Sequence, residues 1–433
     1  MTDALGRRRV LQALGAGVGA AALGGCSEQG SDGRVTASLW FSYGGKNREV
    51  LLELVQKFHA AQTRFRIHPT YQGDYFEALA KLRTAIAAHA APTLTHVVGE
   101  VVPYLWEARV LEPLAEGLAR AGEPLGLGSD LELVKPLAQE GTFTGGGERP
   151  LCALPFNRST PIAYYHKGIF RELGLEAPRT WEELVAVARA ATLREGGTVK
   201  RWGFQCPVDW WFWVAMVGQA GGEVVAPDGT PTLGGEAGVR ALSLWQRLVH
   251  EERVMKPPPG RDYNAWQAAN TDFLSGRTAM IWTSTAFLRY LEENAKFEVG
   301  AAPLPRDVRA SVPTGGTFFV MPTGSAAEER EAGLSFLRWM MAPAQANEFA
   351  TRTGYIPVNR AGIATLERDG YYGKHQNDRV ALDQLQSASP WPWSTRLFRL
   401  QREAVQPRLE EAVLARRDAR EVLELARKAA LEP

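Results

Sequence analysis

Residues 35–67 read VTASLWFSYGGKNREVLLELVQKFHAAQTRFRI, and this stretch decides the fold. In Val35–Phe41 every odd position is apolar, as expected of a strand with one buried face. Residues 46–62 change to a helical period, with apolar side chains on one face at Val50, Leu51, Leu54, Val55 and Phe58. A second strand opens at Phe65. The stretch therefore predicts a strand–helix–strand unit.

The same alternation continues along the chain. Asp74 is placed to cap a helix that runs to His89, and residues 94–98 form a third predicted strand. Later elements are predicted at residues 151–154, 162–165, 181–192, 202–205 and 417–430. This order is typical of the α/β class with a parallel, doubly wound sheet. About 400 residues exceed one hydrophobic core, so we expect two lobes, with the Gly-rich segment 141–147 as the first crossover.

The N-terminus has the pattern of an export signal. Arg7 and Arg8 precede an apolar run of about 14 residues, which is too short to cross a bilayer. The run ends in Leu-Gly-Gly-Cys at Cys26, which looks like a bacterial lipobox, and the paired arginines indicate twin-arginine export. We expect a signal peptide at 1–26, a lipid anchor on Cys26, a flexible tether at 27–34 and a location outside the cytoplasmic membrane. The alternative is an alanine-rich leader with a chance cysteine.

Composition and motifs narrow the function classes. A net charge of +1 gives no electrostatic footprint for nucleic acid. Nucleotide-binding glycine motifs, metal-ligand spacing of the seven histidines and a nucleophile elbow are all missing from the sequence, so we expect no cofactor, no metal and no enzyme. A paired-carboxylate hydrolase is the remaining enzymatic alternative. Cys152 and Cys206 could form one disulfide, but we favour buried thiols.

Three loop segments combine polar, glycine and aromatic residues, as binding loops on a rigid scaffold do. Residues 155–161 (PFNRSTP) lie between two apolar segments, and 314–317 (TGGT) precede another. Residues 353–357 (TGYIP) end a helix at Gly354 and place Tyr355 on a constrained turn.

These segments, with 69–75 (PTYQGDY) and 164–167 (YYHK), carry a family resemblance. The chain resembles the extracellular solute-binding proteins of ABC importers in the family-1, sugar-type cluster, and within it the members that bind glycerol-3-phosphate and glycerophosphodiesters. The resemblance implies an α/β, two-lobe periplasmic-binding-protein fold with a ligand cleft at a multi-crossover hinge. It places lobe 1 at 35–145 plus 284–340 and lobe 2 at 146–283 plus 341–433.

The resemblance also implies roles for individual residues. Tyr75 and Glu100 resemble the residues that contact the glycerol moiety, and Ser159, Tyr355 and Arg399 those that contact the phosphate. Gly316 resembles the backbone donor of a Gly-Gly pair. The hydroxyl after the strand near residue 280 is either Ser284 or Thr285. In the ungapped register Trp211 takes the second position of a family Trp pair whose first position is Val208, whereas a two-residue shift gives Trp210 and Trp213. Arg396 competes with Arg399.

The expected function follows from this resemblance. The protein is expected to be a monomeric lipoprotein that captures glycerol-3-phosphate or a glycerophosphodiester such as glycerophosphocholine and delivers it to permease subunits. The alternative is a sugar-binding protein of the same fold, because aromatic rings such as Trp210–Trp213 can stack on pyranose faces. Arg399 separates the two, since a neutral sugar needs no buried cation.

Overall fold

The computed structural model describes residues 33–120, 133–141, 151–226 and 229–431. The predicted signal peptide with Cys26, most of the predicted tether and most of the loop 141–147 lie outside these ranges.

Twelve strands and nineteen α-helices are assigned within the described residues. The strands are β1 Val35–Phe41, β2 Phe65–Tyr71, β3 Leu94–Val98, β4 Leu154–Ser159, β5 Pro161–His166, β6 Leu193–Glu195, β7 Thr198–Arg201, β8 Met280–Ser284, β9 Val299–Ala302, β10 Val312–Pro313, β11 Gly315–Val320 and β12 Ala388–Ser389. The helices are α1 Gly45–Ala61, α2 Tyr75–Ala87, α3 Val102–Glu107, α4 Leu114–Arg120, α5 Lys135–Ala138, α6 Lys167–Glu172, α7 Trp181–Ala191, α8 Trp210–Gln219, α9 Glu236–Gln246, α10 Asp262–Leu274, α11 Leu288–Asn294, α12 Ala327–Met341, α13 Pro343–Thr353, α14 Arg360–Arg368, α15 Tyr371–Lys374, α16 Gln376–Gln384, α17 Leu397–Arg399, α18 Gln406–Leu414 and α19 Ala419–Leu431.

The first lobe is built on a five-stranded sheet of order β2-β1-β3-β11-β4. β1 runs parallel to β2 and β3, as predicted, but β11 is antiparallel to both β3 and β4. The prediction of a wholly parallel sheet is therefore wrong for this lobe. Only β11 returns from the second lobe, and its direction is set by that distant connection, whereas β4 has the direction of β3 and leads into the second lobe. Helix α12 packs against β1 and β2, and α1 packs against β2.

The second lobe contains a three-stranded sheet of order β8-β5-β9, antiparallel throughout. Along β5 the side chains alternate between two cores. Ile162 and Tyr164 pack into the core shared with the first lobe, and Ala163 packs into a tryptophan-rich core of the second lobe. This sheet therefore joins the hinge side of the molecule to the outer helices α6 to α9.

The chain passes between the sheets at places that differ from the predicted boundaries. β4 pairs in the first sheet and β5 in the second, so the first crossing lies at Thr160 rather than near 145. β9 also belongs to the second sheet, although 284–340 was predicted to be in lobe 1. The proline-framed segment 155–161 looked like a loop, but β4 is an edge strand, where proline is tolerated.

One carboxylate ties three chain segments together at this hinge. Glu140 accepts hydrogen bonds from the Arg158 guanidinium at the end of β4 and from the Thr314 hydroxyl before β11. It also accepts from the backbone N–H of Trp391, 3.2 Å away, on the segment that leads to α17. The side chains of Arg158 and Glu140 are 0% and 1% exposed. The hinge is thus organised around a buried ion pair.

Local predictions are mostly confirmed. Asp74 forms a full capping box with Glu77 at the start of α2. The predicted strand at 202–205 forms only isolated bridges. Cys152 and Cys206 are buried in different cores and form no disulfide with each other. Among the described residues, no helix is long and apolar enough to cross a membrane.

Candidate functional site

A cavity of about 220 Å³ lies between the lobes at the hinge. The carboxyl ends of β1, β2 and β3 all meet it, which is where ligands bind in open α/β sheets. The opposite wall comes from the starts of α8 and α10 and from the segment after β8. The lining residues are Ser42, Tyr43, Gly44, Asn47, Tyr71, Asp74, Tyr75, Phe76, Val98, Glu100, Ser159, Asp209, Trp211, Tyr263, Trp266, Ser284, Ala286, Phe287, Gly315, Gly316, Tyr355 and Gln401.

Nine of these lining residues are aromatic. Trp211 packs against Trp266 with ring centroids 5.4 Å apart, and its Nε1 donates to the carbonyl oxygen of Thr314 at 3.0 Å. Trp210 and Trp213 are instead 1% and 0% exposed in the second-lobe core. The structure therefore places the ungapped-register residue, Trp211, at the cavity.

Three carboxylates line the cavity, and no Lys or Arg of the described residues does. Asp74 and Asp209 accept backbone N–H groups at the starts of α2 and α8. Glu100 is 8% exposed. The pKa of Glu100 is raised to about 7, chiefly by burial and also by the nearby carboxylates of Glu140 and Asp209, against the lowering effects of a backbone N–H and Arg158. The wall thus favours cations and hydroxyl donors.

A series of buried hydrogen bonds leads to two tyrosines that line the cavity. The backbone N–H of Ser42 donates to Nε2 of His96 at 2.8 Å, and Nδ1 of His96 lies 2.7 Å from the Thr317 hydroxyl. The Thr317 hydroxyl donates to Oδ1 of Asn157. Nδ2 of Asn157 then donates to the hydroxyls of Tyr75 at 3.2 Å and Tyr355 at 3.0 Å. Both tyrosines line the cavity.

Most residues proposed from sequence meet at this cavity. The lining includes Tyr75, Glu100, Ser159, Trp211, Ser284, Gly316 and Tyr355. Thr285 is fully buried and does not line it, so Ser284 is the hydroxyl that the structure places there. Gly316 has φ +84°, and a Cβ would meet the carbonyl oxygen of Asn157 at 1.8 Å, which restricts the position to glycine.

Arg399 does not lie at the cavity. Its side chain is 53% exposed, and its Nε donates to Glu403 at 3.0 Å. Arg396 is also exposed and outside the lining. Residues Leu400–Val405 form a π-helix, whose wider turn changes which side chains share a face. Gln401, two positions further on, lines the cavity instead.

Sequence reasoning missed much of the second-lobe wall. Tyr263 and Trp266 lie three residues apart on α10, a spacing that places both on one helix face. Ser42 and Tyr43 follow β1, and Tyr71 ends β2, so their position at the carboxyl ends of strands was the available signal. No group of His, Cys, Asp and Glu that could hold a metal ion occurs in the described parts of the chain.

The family profile of bacterial extracellular solute-binding proteins matches residues 53–365. The sn-glycerol-3-phosphate-binding periplasmic protein UgpB of Pectobacterium atrosepticum is 25% identical over 382 residues, which cover 84% of this chain and 82% of that protein. The Salmonella typhimurium protein of the same name is 25% identical over 377 residues, covering 83% and 82%.

Solved structures share the fold at lower identity. UgpB from Mycobacterium tuberculosis in complex with glycerophosphocholine superposes with a TM-score of 0.78 at 22% identity, covering 90% of this chain and 96% of that one. Maltose-bound T. maritima MalE3 has a TM-score of 0.77 at 20% identity, covering 91% and 98%. These similarities establish the two-lobe binding-protein architecture.

Proposed function

Because the chain belongs to the family of bacterial extracellular solute-binding proteins, we propose that it captures a glycerophosphodiester with a quaternary ammonium head, such as glycerophosphocholine, for an ABC importer. One observation carries this choice of ligand. The cavity wall has nine aromatic residues and three carboxylates, and none of its described residues is Lys or Arg.

This wall suits a cation better than a dianion. Aromatic faces attract quaternary ammonium groups by roughly 0.5–2 kcal/mol each. Trp211, Trp266 and Tyr263 supply such faces, and Asp209 lies beside them. Glycerol-3-phosphate would bring two negative charges to three carboxylates, with no Lys or Arg among the described lining residues to match them. The choline ester of the same phosphate has no net charge, so it avoids that repulsion.

The other side of the cavity suits the glycerophosphate portion. The hydroxyls of Tyr75, Tyr355 and Ser159 and the backbone at Gly316 offer donors to phosphate oxygens. Glu100 offers acceptors to the glycerol hydroxyls. The curated relatives named above are glycerol-3-phosphate-binding proteins, which supports a glycerophosphate ligand rather than catalysis on it.

A neutral oligosaccharide is the second candidate. The same aromatic wall without a described cation would also accept uncharged pyranose rings, and carboxylates commonly accept sugar hydroxyls. The two candidates differ in whether a positive charge on the ligand improves binding.

Isothermal titration calorimetry with matched ligands tests the proposal. Glycerophosphocholine and glycerophosphoglycerol share the phosphodiester and differ in the cation, so we expect at least about tenfold tighter binding of the choline ester. Glycerol-3-phosphate should bind more weakly than either. Equal affinity for the two diesters would refute the cation site, and tightest binding of maltotriose would establish the sugar alternative.

We also propose that the mature protein is a monomer anchored outside the cytoplasmic membrane through acylated Cys26 after twin-arginine export. Cys26→Ser should move the exported protein from the membrane fraction to the soluble fraction, whereas the neighbouring Ser27→Ala should not. Membrane association of the Cys26→Ser protein would rule out the lipid anchor. Replacing Arg7 and Arg8 with Lys should block export if the twin-arginine route is used.

A further inference from the structure

We propose that the buried chain His96–Thr317–Asn157 fixes the hydroxyls of Tyr75 and Tyr355 as proton donors into the cavity. This end of the cavity then selects a group that only accepts hydrogen bonds, such as the unesterified oxygens of a phosphodiester. His96 and Asn157 are positioning residues that act through the two tyrosines. The identity of the ligand group rests on the proposed function, whereas the donor direction rests on the geometry alone.

The donor–acceptor order of these hydrogen bonds is set first at His96. A backbone N–H can only donate, so Nε2 of His96, 2.8 Å from the N–H of Ser42, carries no proton. Burial lowers the pKa of His96 to about 3, so the ring is neutral at physiological pH. Its single proton is therefore on Nδ1, which donates to the hydroxyl oxygen of Thr317 at 2.7 Å.

A second backbone group fixes the amide of Asn157. The backbone N–H of Thr317 donates to Oδ1 of Asn157 at 3.2 Å, and the Thr317 hydroxyl donates to the same oxygen. A flipped amide would set its NH₂ group against that backbone N–H, donor against donor. Nδ2 of Asn157 must therefore face the tyrosines.

Each tyrosine hydroxyl oxygen therefore accepts a hydrogen bond from Nδ2 of Asn157. The two hydroxyl oxygens lie 3.5 Å apart, so any bond between them is long. Burial raises the pKa of both Tyr75 and Tyr355, which keeps both hydroxyls protonated. The Tyr355 ring is held by stacking on Phe349 with centroids 5.5 Å apart. Because Asn157 donates to each oxygen and the bond between the two hydroxyls is long, both protons are available to a ligand in the cavity that both rings line.

Asn157→Asp tests the direction of these hydrogen bonds, because a carboxylate oxygen accepts a hydrogen bond where the amide NH₂ group donated one. The two tyrosine hydroxyls should turn towards it and withdraw two neutral donors from the ligand. Affinity for glycerophosphocholine should fall about 5- to 150-fold. Affinity for choline alone, which presents no anionic oxygen, should not fall. Asn347→Asp is the matched control, since Asn347 is a buried amide on α13 away from the cavity.

A double-mutant cycle separates donor direction from added charge. Tyr355→Phe should weaken glycerophosphocholine binding about 2- to 12-fold in the wild-type background and less than twofold in the Asn157→Asp background. An undiminished Tyr355→Phe effect, or equal losses for choline and the diester, would overturn the proposal. If wild type does not bind the diester, the proposed function fails, and the same cycle is run with its tightest ligand.

A measurement on the wild-type protein covers the case in which Asn157→Asp does not fold. With ¹³Cζ-labelled tyrosine, the resonances of Tyr75 and Tyr355, assigned from the Tyr→Phe variants, should both move downfield when the diester binds. Unchanged resonances at saturation would also overturn the proposal.

Discussion

Glu100→Gln should remove a pH-dependent penalty on the stability of the folded protein. Glu100 is 8% exposed, and burial raises its pKa to about 7 in the folded protein, from the 4.5 of an ordinary glutamate. Between these values the unfolded chain releases a proton that the folded protein keeps. This carboxyl therefore lowers the free energy of unfolding as the pH rises from about 4.5 to about 7, and the penalty is constant above that range.

The size of the effect follows from the two pKa values. Their difference, about 7 minus 4.5, corresponds to about 3 kcal/mol at 1.36 kcal/mol per pH unit. Because glutamine does not ionise, the variant should have nearly wild-type stability at pH 4.5 and exceed wild type by about 3 kcal/mol at pH 8.

Urea unfolding followed by tryptophan fluorescence at pH 4.5, 6 and 8 measures this difference. Taking wild type minus variant at each pH cancels the titration of all other groups. The exposed Glu172→Gln serves as control and should change stability by under about 0.5 kcal/mol throughout. A Glu100→Gln difference that does not vary with pH would refute the reasoning.

Three further substitutions test other parts of the structure. Trp211→Ala should weaken glycerophosphocholine binding about 2- to 30-fold in calorimetry, whereas an unchanged affinity would exclude its ring from the cation site. Arg399→Ala should change that affinity by less than about threefold because its ion pair is exposed; a tenfold loss would restore its sequence-based role as a phosphate ligand. Glu140→Gln should lower the free energy of unfolding by about 3–5 kcal/mol because Arg158 is left as a buried charge. The exposed Glu298→Gln should cost under about 1 kcal/mol, and equal effects in urea unfolding would contradict a stabilising hinge pair.

Local sequence patterns predicted much of the fold. The alternation in 35–41, the helical face that follows it and the cap at Asp74 are short-range properties, and all three appear as expected. The direction of β11 was not predictable in this way. It depends on pairing with β3, more than 200 residues earlier in the chain.

The same contrast between local and long-range properties applies to the residues of the site. Glu100, after β3, and Ser159, the last residue of β4, were identified through the family resemblance, and both lie at strand ends that meet the cavity. Arg399 lies outside the cavity lining, directly before the π-helix Leu400–Val405, and no local sequence pattern indicates this irregular turn. Trp266 was missed because its helix α10 gives no sign of which face meets the cavity.

The position of β11 between β3 and β4 also sets an order of events during synthesis. Within the described sheet, β4 pairs only with β11, so Leu154–Ser159 has no strand partner until residues 315–320 have been made. At 5–20 residues per second, synthesis of the 161 residues from 160 to 320 lasts about 8 to 30 s. The strands of the second lobe are therefore synthesised before the five-stranded sheet of the first lobe can be completed. A chain truncated before Gly315 should leave β3 as an open edge, prone to pairing with other chains.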